Sequence, residues 1–155
     1  MKKIVLLGLC IFGFSLFSQA QSIADHALGL RLGDNDGFGT EISYQHGLTE
    51  NNRLELDLGW RSRNDMDAFR LTGLYQWVWN LEGGFNWYAG AGGGLGSVDT
   101  GDDSDFFVLV AGDVGIEYDF DFPLLLSLDF RPEIGFSDYN DDLGFDIALG
   151  IRYQF

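Results

Sequence analysis

Few side chains in this 155-residue sequence can do chemistry. His26 and His46 are the only histidines. A hairpin register that sets Arg31 opposite Glu41 also sets His26 opposite His46. Two facing imidazoles can hold a metal. No third ligand is evident beside them, so polar anchoring at one end of an apolar face is the expectation, with no metal site. The stretch Asp99-Thr-Gly-Asp-Asp-Ser-Asp105 gathers carboxylates that could recruit Ca²⁺ or Mg²⁺. It lacks the spacing and closing Glu of an EF-hand, and a solvated acidic loop is expected. The single cysteine, Cys10, lies in an N-terminal apolar run. No cofactor is expected.

The largest set of charges recurs at alternate positions: Arg31, Glu41, Arg53, Glu55, Asp57, Arg61, Arg70, Asp113, Glu117, Asp129, Arg131, Glu133, Asp146 and Arg152. Each has a large apolar residue on at least one side. A period of two puts such residues on one face of a strand and the apolar ones on the other. Buried charges persist only when paired and hydrogen-bonded. The expectation is therefore an Arg–carboxylate network, with Arg31 opposite Glu41 and Asp57 diagonal to Arg70.

The elements that must position these residues begin after a leader. Met1-Lys2-Lys3, an apolar run from Ile4 to Phe17 and Ser18-Gln19-Ala20 read as a signal peptide cut after Ala20. Leu9 stands where a lipoprotein signal needs a small residue, so Cys10 is expected to leave with the leader. The remainder has seven arginines against 24 acids, a net charge of −17. That balance excludes nucleic-acid binding, which needs a basic face. Aromatics at 15% and 22 glycines argue against disorder and for a folded β protein.

Eight alternating segments follow: 24–33, 38–48, 53–62, 67–79, 85–97, 106–119, 124–136 and 143–155. Turn sequences separate them, including Asp34-Asn35-Asp36-Gly37, Asn80–Gly84, an acidic loop at Val98–Asp105 and another at Ser137–Asp142. Glycines crowd the fifth segment. No helix signal follows them, so a phosphate cradle is not expected; relief of crowding in a narrow, strongly curved barrel is. Pro132 interrupts the seventh segment, where a bulge is expected. The last segment carries Leu143, Phe145, Ile147, Leu149, Ile151, Tyr153 and Phe155 on one face.

That final strand, ending on Phe155, resembles the terminal strand of bacterial outer-membrane β-barrels. The Gly-alternating strands extend the resemblance over the mature chain, to the small barrels of the OmpX and OmpA-transmembrane-domain type. The resemblance implies an eight-stranded antiparallel up-and-down transmembrane β-barrel of residues 21–155, exported through the Sec pathway. Both ends would lie in the periplasm and the chain would be monomeric. Its partners would be outer-membrane lipid, lipopolysaccharide and the barrel-assembly machinery, which reads Phe155.

A lipocalin-like secreted carrier has the same period with the faces reversed. Three features favour charges inside. Aromatics fall at both ends of the apolar face, with Trp77, Trp79, Trp87, Tyr118, Tyr153 and Phe155 below and Trp60, Phe69, Phe106, Phe136 and Phe145 above. The segments match the ~9–11 residues of a tilted spanning strand. Glycine shares the charged face, where eight strands leave little room. Trp60, Trp77, Trp79, Trp87, Tyr153 and Phe155 are the expected girdle. The expected role is structural or surface interaction with a plugged lumen; a narrow pore or a carrier of small hydrophobic molecules is the alternative. A Ser/His/acid lipid-A-modifying enzyme needs a histidine near the outer rim, and both lie at the other end, so no catalytic site is expected.

Overall fold

The computed structural model describes residues 23–33, 39–63, 66–136 and 141–155. The leader with Cys10, the turn at 34–37 and most of the loop at 137–142 lie outside them. Eight strands follow in order: β1 (His26–Gly33), β2 (Thr40–Gly47), β3 (Asn52–Arg63), β4 (Met66–Glu82), β5 (Phe85–Asp99), β6 (Ser104–Asp119), β7 (Leu124–Phe136) and β8 (Asp141–Gln154). Each pairs antiparallel with its sequence neighbour, and β1 pairs with β8, so the sheet closes into a barrel. Closure leaves no strand edge with unpaired backbone groups. We call the end holding residue 23 and Phe155 the lower end.

Alternation in the sequence becomes two faces of one wall. Leu28, Leu30 and Leu32 point outward from β1, while Ala27 and Arg31 are buried. On β4, Leu71, Trp77 and Trp79 face out, and Arg70, Thr72, Leu74, Gln76 and Val78 face in. Arg31 is 0% exposed and Trp60 is 75% exposed, the reverse of a water-soluble carrier. Among the described residues no helix is long and apolar enough to cross a membrane.

Several sequence expectations are corrected. The acidic loop shrinks to a turn at 100–103, because β5 runs on to Asp99 and β6 begins at Ser104. Aspartates read as loop, yet where the side chain stays in water a strand can continue for its ladder bonds. Gly101, at φ 85°, makes this turn, with Thr100 N–H donating to the Asp103 carbonyl at 2.9 Å. Below, β4 extends to Glu82, and the tight turn uses Gly83 at φ 57°. Asn80 pairs with Asn86 but Glu82 with Phe85, so Leu81 is an extra, bulged residue.

No bulge occurs at Pro132. Ala111 faces Glu133 and Val114 faces Phe130, so the register is the same on both sides of the proline. The two intervening pairs are missing from the β6–β7 ladder. Proline lacks the N–H, and its ring needs room. Gly112 supplies that room: a Cβ built there would lie 3.3 Å from Pro132 Cγ. On its other side Pro132 stays in register with Phe145.

The glycines of β5 bring backbones together. A Cβ on Gly92 would lie 1.9 Å from the Gly73 carbonyl oxygen, and one on Gly94 would lie 2.6 Å from that of Leu71. The backbones of β4 and β5 therefore approach each other too closely for side chains at these positions. Leu74, Leu109 and Ala111 pack into this sector with Phe107 beside them, forming a small apolar core inside the barrel.

Candidate functional site

The lumen is the candidate site. Arg31 on β1 donates to Glu41 at 2.9 Å, to Asp129 at 2.5 Å and to Asp146 at 2.5 Å. Arg70 on β4 donates to Glu41 at 2.6 Å and to Glu133 at 2.9 Å. Arg131 on β7 donates to Glu55 at 3.0 Å and to Asp57 at 2.7 Å. Arg152 on β8 holds Glu55 at 3.1 Å and the hydroxyls of Ser43 and Ser127. Nearer the lower end, Arg53 grips both oxygens of Glu117 at 3.1 and 2.7 Å and donates to Gln76 at 2.7 Å. Its guanidinium lies 4.9 Å from the centre of the Tyr88 ring. Gln76 in turn donates to Asp113 at 2.5 Å.

Shared carboxylates join these groups. Glu41 receives from Arg31 and Arg70 and stands 3.7 Å from Arg131; Glu55 receives from Arg131 and Arg152. Most bonds cross the bore. Arg131 and Asp57 are on β7 and β3, half the barrel apart, and Arg53 and Glu117 are on β3 and β6. Low dielectric strengthens each pair, and the fork of each guanidinium can serve two or three acceptors.

The residue pairs differ partly from the sequence expectation. Arg31 does stand opposite Glu41, and Asp57 opposite Thr72, two residues from Arg70. Arg70, however, bonds Glu41 and Glu133, while Asp57 bonds Arg131. Long side chains in a narrow bore meet their partners over the centre, so neighbours on the wall need not pair. Arg61 is half-buried near the upper end and Glu133 is also half-buried; the other members are buried.

Tyr88, Leu109, Ala111 and Asn86 line the bore as well, and sequence reasoning did not pick them out. Strict parity was the available signal, since Tyr88 and Asn86 alternate with Phe85 and Trp87. Asp57 Oδ1, Thr72 Oγ1, Tyr88 Oη, Asp113 Oδ1 and Arg131 Nε and Nη1 are buried without a hydrogen-bond partner among the described residues. At the lower mouth the free space between Ala27, Gln45, Arg53, Glu117 and Leu125 is about 10 Å³. That is room for a single water.

On the outer face, Trp79 stacks on Trp87 with ring centres 4.4 Å apart, and Trp77 meets Tyr75 edge-on. Tyr153 and Phe155 stack at the same end. Trp60 stands opposite Phe69 at the upper end. His26 lies opposite His46 at the lower end. Among the described residues no three His, Cys, Asp or Glu side chains converge on a metal-sized site.

No protein-family model and no curated protein sequence matches the chain. Solved structures do. The N-terminal β-barrel domain of OprF from Pseudomonas aeruginosa superposes with a TM-score of 0.69 at 14% identity, over 87% of this chain and 100% of that one. Neisserial surface protein A gives 0.59 at 14% identity, over 84% and 94%. Ail, the attachment invasion locus protein of Yersinia pestis, gives 0.56 at 14% identity, over 86% and 100%. With its closed eight-stranded antiparallel wall, the chain has the fold of the small outer-membrane β-barrels.

Proposed function

We propose that this chain is an outer-membrane barrel of a Gram-negative bacterium, with a non-enzymatic structural or surface-interaction role and a lumen closed by its Arg–carboxylate network. The observation that carries the reading is the inverted wall: large apolar side chains cover the outside and guanidinium–carboxylate bonds span the inside. Lipid favours an apolar exterior on a closed barrel, because no backbone group is left unsatisfied. Tryptophans and tyrosines at the lower end and Trp60 above suit the two lipid–water interfaces. Two of the structural neighbours are named for the surface and for attachment, which supports the same class of role here.

Ion pairs that cross the bore favour a plug over a channel, as does the narrow lower mouth. The expected partners are membrane lipid and lipopolysaccharide outside the wall, and the barrel-assembly machinery at the strand ending in Phe155. A test combines membrane fractionation, heat-modifiable gel migration and planar-bilayer recording. Outer-membrane fractions, a compact unheated band and no steady openings are expected. Steady single-channel openings would sink the plug.

A narrow pore is the second reading. The unpartnered polar atoms of Asp57, Thr72, Tyr88 and Asp113 favour it, because buried groups of this kind take ordered water. The same recordings decide between the two.

A further inference from the structure

We propose that His26, His46 and Tyr44 form a binding site for a Zn²⁺-class divalent transition-metal ion on the outer face of the barrel's lower rim. The inference is independent of the proposed function. His26 on β1 is the register partner of His46 on β2, and Tyr44 lies two residues from His46 on the same face. The third donor that the sequence reading lacked is this phenol, diagonal to His26 across the hairpin. All three side chains are half-buried.

The histidine pair carries the argument. The two Nδ1 atoms are 3.3 Å apart, whereas Tyr44 Oη hydrogen-bonds His26 Nδ1 at 2.8 Å, so the phenol has to move off by about 0.5 Å to join them on one tetrahedral ion. A separation of 3.3 Å is long for a hydrogen bond, whose N···X distance falls at ~2.7–3.2 Å. It suits two imidazole nitrogens each ~2.0–2.1 Å from one tetrahedral ion, which stand ~3.3 Å from each other. Imidazole with a hard oxygen donor is a ligand set for Zn²⁺ and not for Ca²⁺ or Mg²⁺. Three protein donors leave the fourth position for water or an anionic group.

The rings are already held in place. His26 stacks against His46, Tyr44 and Phe155, with centroid distances of 5.0, 6.1 and 5.5 Å. The Phe155 N–H also donates to the His26 carbonyl at 2.9 Å. His26 therefore sits at the seam where β1 meets β8, and an ion bound there would clamp the first hairpin beside the closing strand.

The test uses the full chain without a histidine tag, folded in detergent micelles, with Zn²⁺ followed by calorimetry and Co²⁺ by its visible absorption. One ion per chain is expected, with the intense Co²⁺ bands of a tetrahedral site. Binding should vanish in His26→Ala and in His46→Ala, and weaken roughly tenfold or more in Tyr44→Phe. Unheated gel migration checks that each variant has closed. Zn²⁺ X-ray absorption of the unmodified chain serves if one has not: two imidazole scatterers support the site, and an all-oxygen shell overturns it. Failure to saturate, or equal binding by the histidine variants, overturns it as well and assigns the ion to the acidic turns.

Discussion

Arg31 Nη2 lies 2.5 Å from Asp129 Oδ1, a bond from β1 to β7 that passes over the intervening β8. The same guanidinium also holds Glu41 and Asp146, so one cation serves three carboxylates that are each buried. Replacing it removes the guanidinium that Asp129 and Asp146 share but leaves their charges in the bore. Arg31→Met is expected to cost about 3–5 kcal/mol, the loss typical of breaking a buried pair from one side. Urea unfolding of the refolded barrel, read by heat-modifiable migration, measures it. A change under about 1 kcal/mol would mean that water, not the arginine, neutralises those acids.

Pairing across the bore makes a sharper claim about Asp57. Double-mutant cycles should find coupling of about 0.5–3 kcal/mol between Asp57 and Arg131, which are in contact. The Asp57–Arg70 cycle should show the smaller coupling, because these two residues are joined through Arg131 and Glu41 and not by a direct ion pair. The reverse ranking would restore the wall-neighbour pairing that the hairpin register alone suggests.

Much of the architecture was legible because a membrane-type barrel writes its two faces into alternate residues. Leu143 to Phe155 show this without interruption, and the hairpin registers follow from short turns. The partners inside the bore were not legible. Which arginine meets which acid depends on strand tilt and side-chain reach over the centre, and neither is written in local spacing. Strand ends were misread where aspartates looked like loop, as at Asp99 and Asp105. Pro132 looked like a bulge because its companion, Gly112, becomes visible only once β6 and β7 are in register. Tyr44 beside the two histidines was within reach, since it shares their face two residues away.

Glycine in β5 tests the close approach of β4 and β5. A methyl on Gly92 has a carbonyl oxygen in its way and nothing flexible to displace. Gly92→Ala is therefore expected to destabilise by about 1–3 kcal/mol, as overpacking does, or to block closure. Gly135→Ala is the control, because a Cβ there meets nothing within 4 Å. It should lie within about 0.5 kcal/mol of the parent, as substitutions away from packed features do. Equal effects at both positions would mean that the glycines matter for chain flexibility and not for close approach.

Two carboxylates meet on the outer face above Trp60 and Phe69. Asp67 on β4 is the direct register partner of Asp99 on β5, and both are exposed. Like charges set directly opposite each other oppose pairing. Asp99 Oδ1 also accepts from the Gly101 N–H at 2.8 Å, a bond that an asparagine oxygen can keep. Asp99→Asn should thus stabilise the hairpin by about 0.2–1 kcal/mol at low salt. The gain should shrink as salt screens the repulsion. Urea midpoints at two ionic strengths read both effects, and destabilisation at low salt would contradict the repulsion.

Orientation of the wall is open to a direct energetic test at Leu128. This side chain is 51% exposed in mid-strand on β7, between Ile116 on β6 and Leu149 on β8. With lipid outside, an arginine at that depth costs about 2–4 kcal/mol, and the penalty falls to about 0–1 kcal/mol near the interface. Leu128→Arg should accordingly destabilise the barrel in phospholipid vesicles far more than Tyr153→Arg, because Tyr153 stands opposite Leu124 at the strand ends. Water outside the wall would make Leu128→Arg nearly neutral, since the side chain already faces away from the packed lumen. Reversible refolding into vesicles compares the two variants under one condition. Equal costs at the two depths would remove lipid from the outer face and return the chain to the soluble carriers.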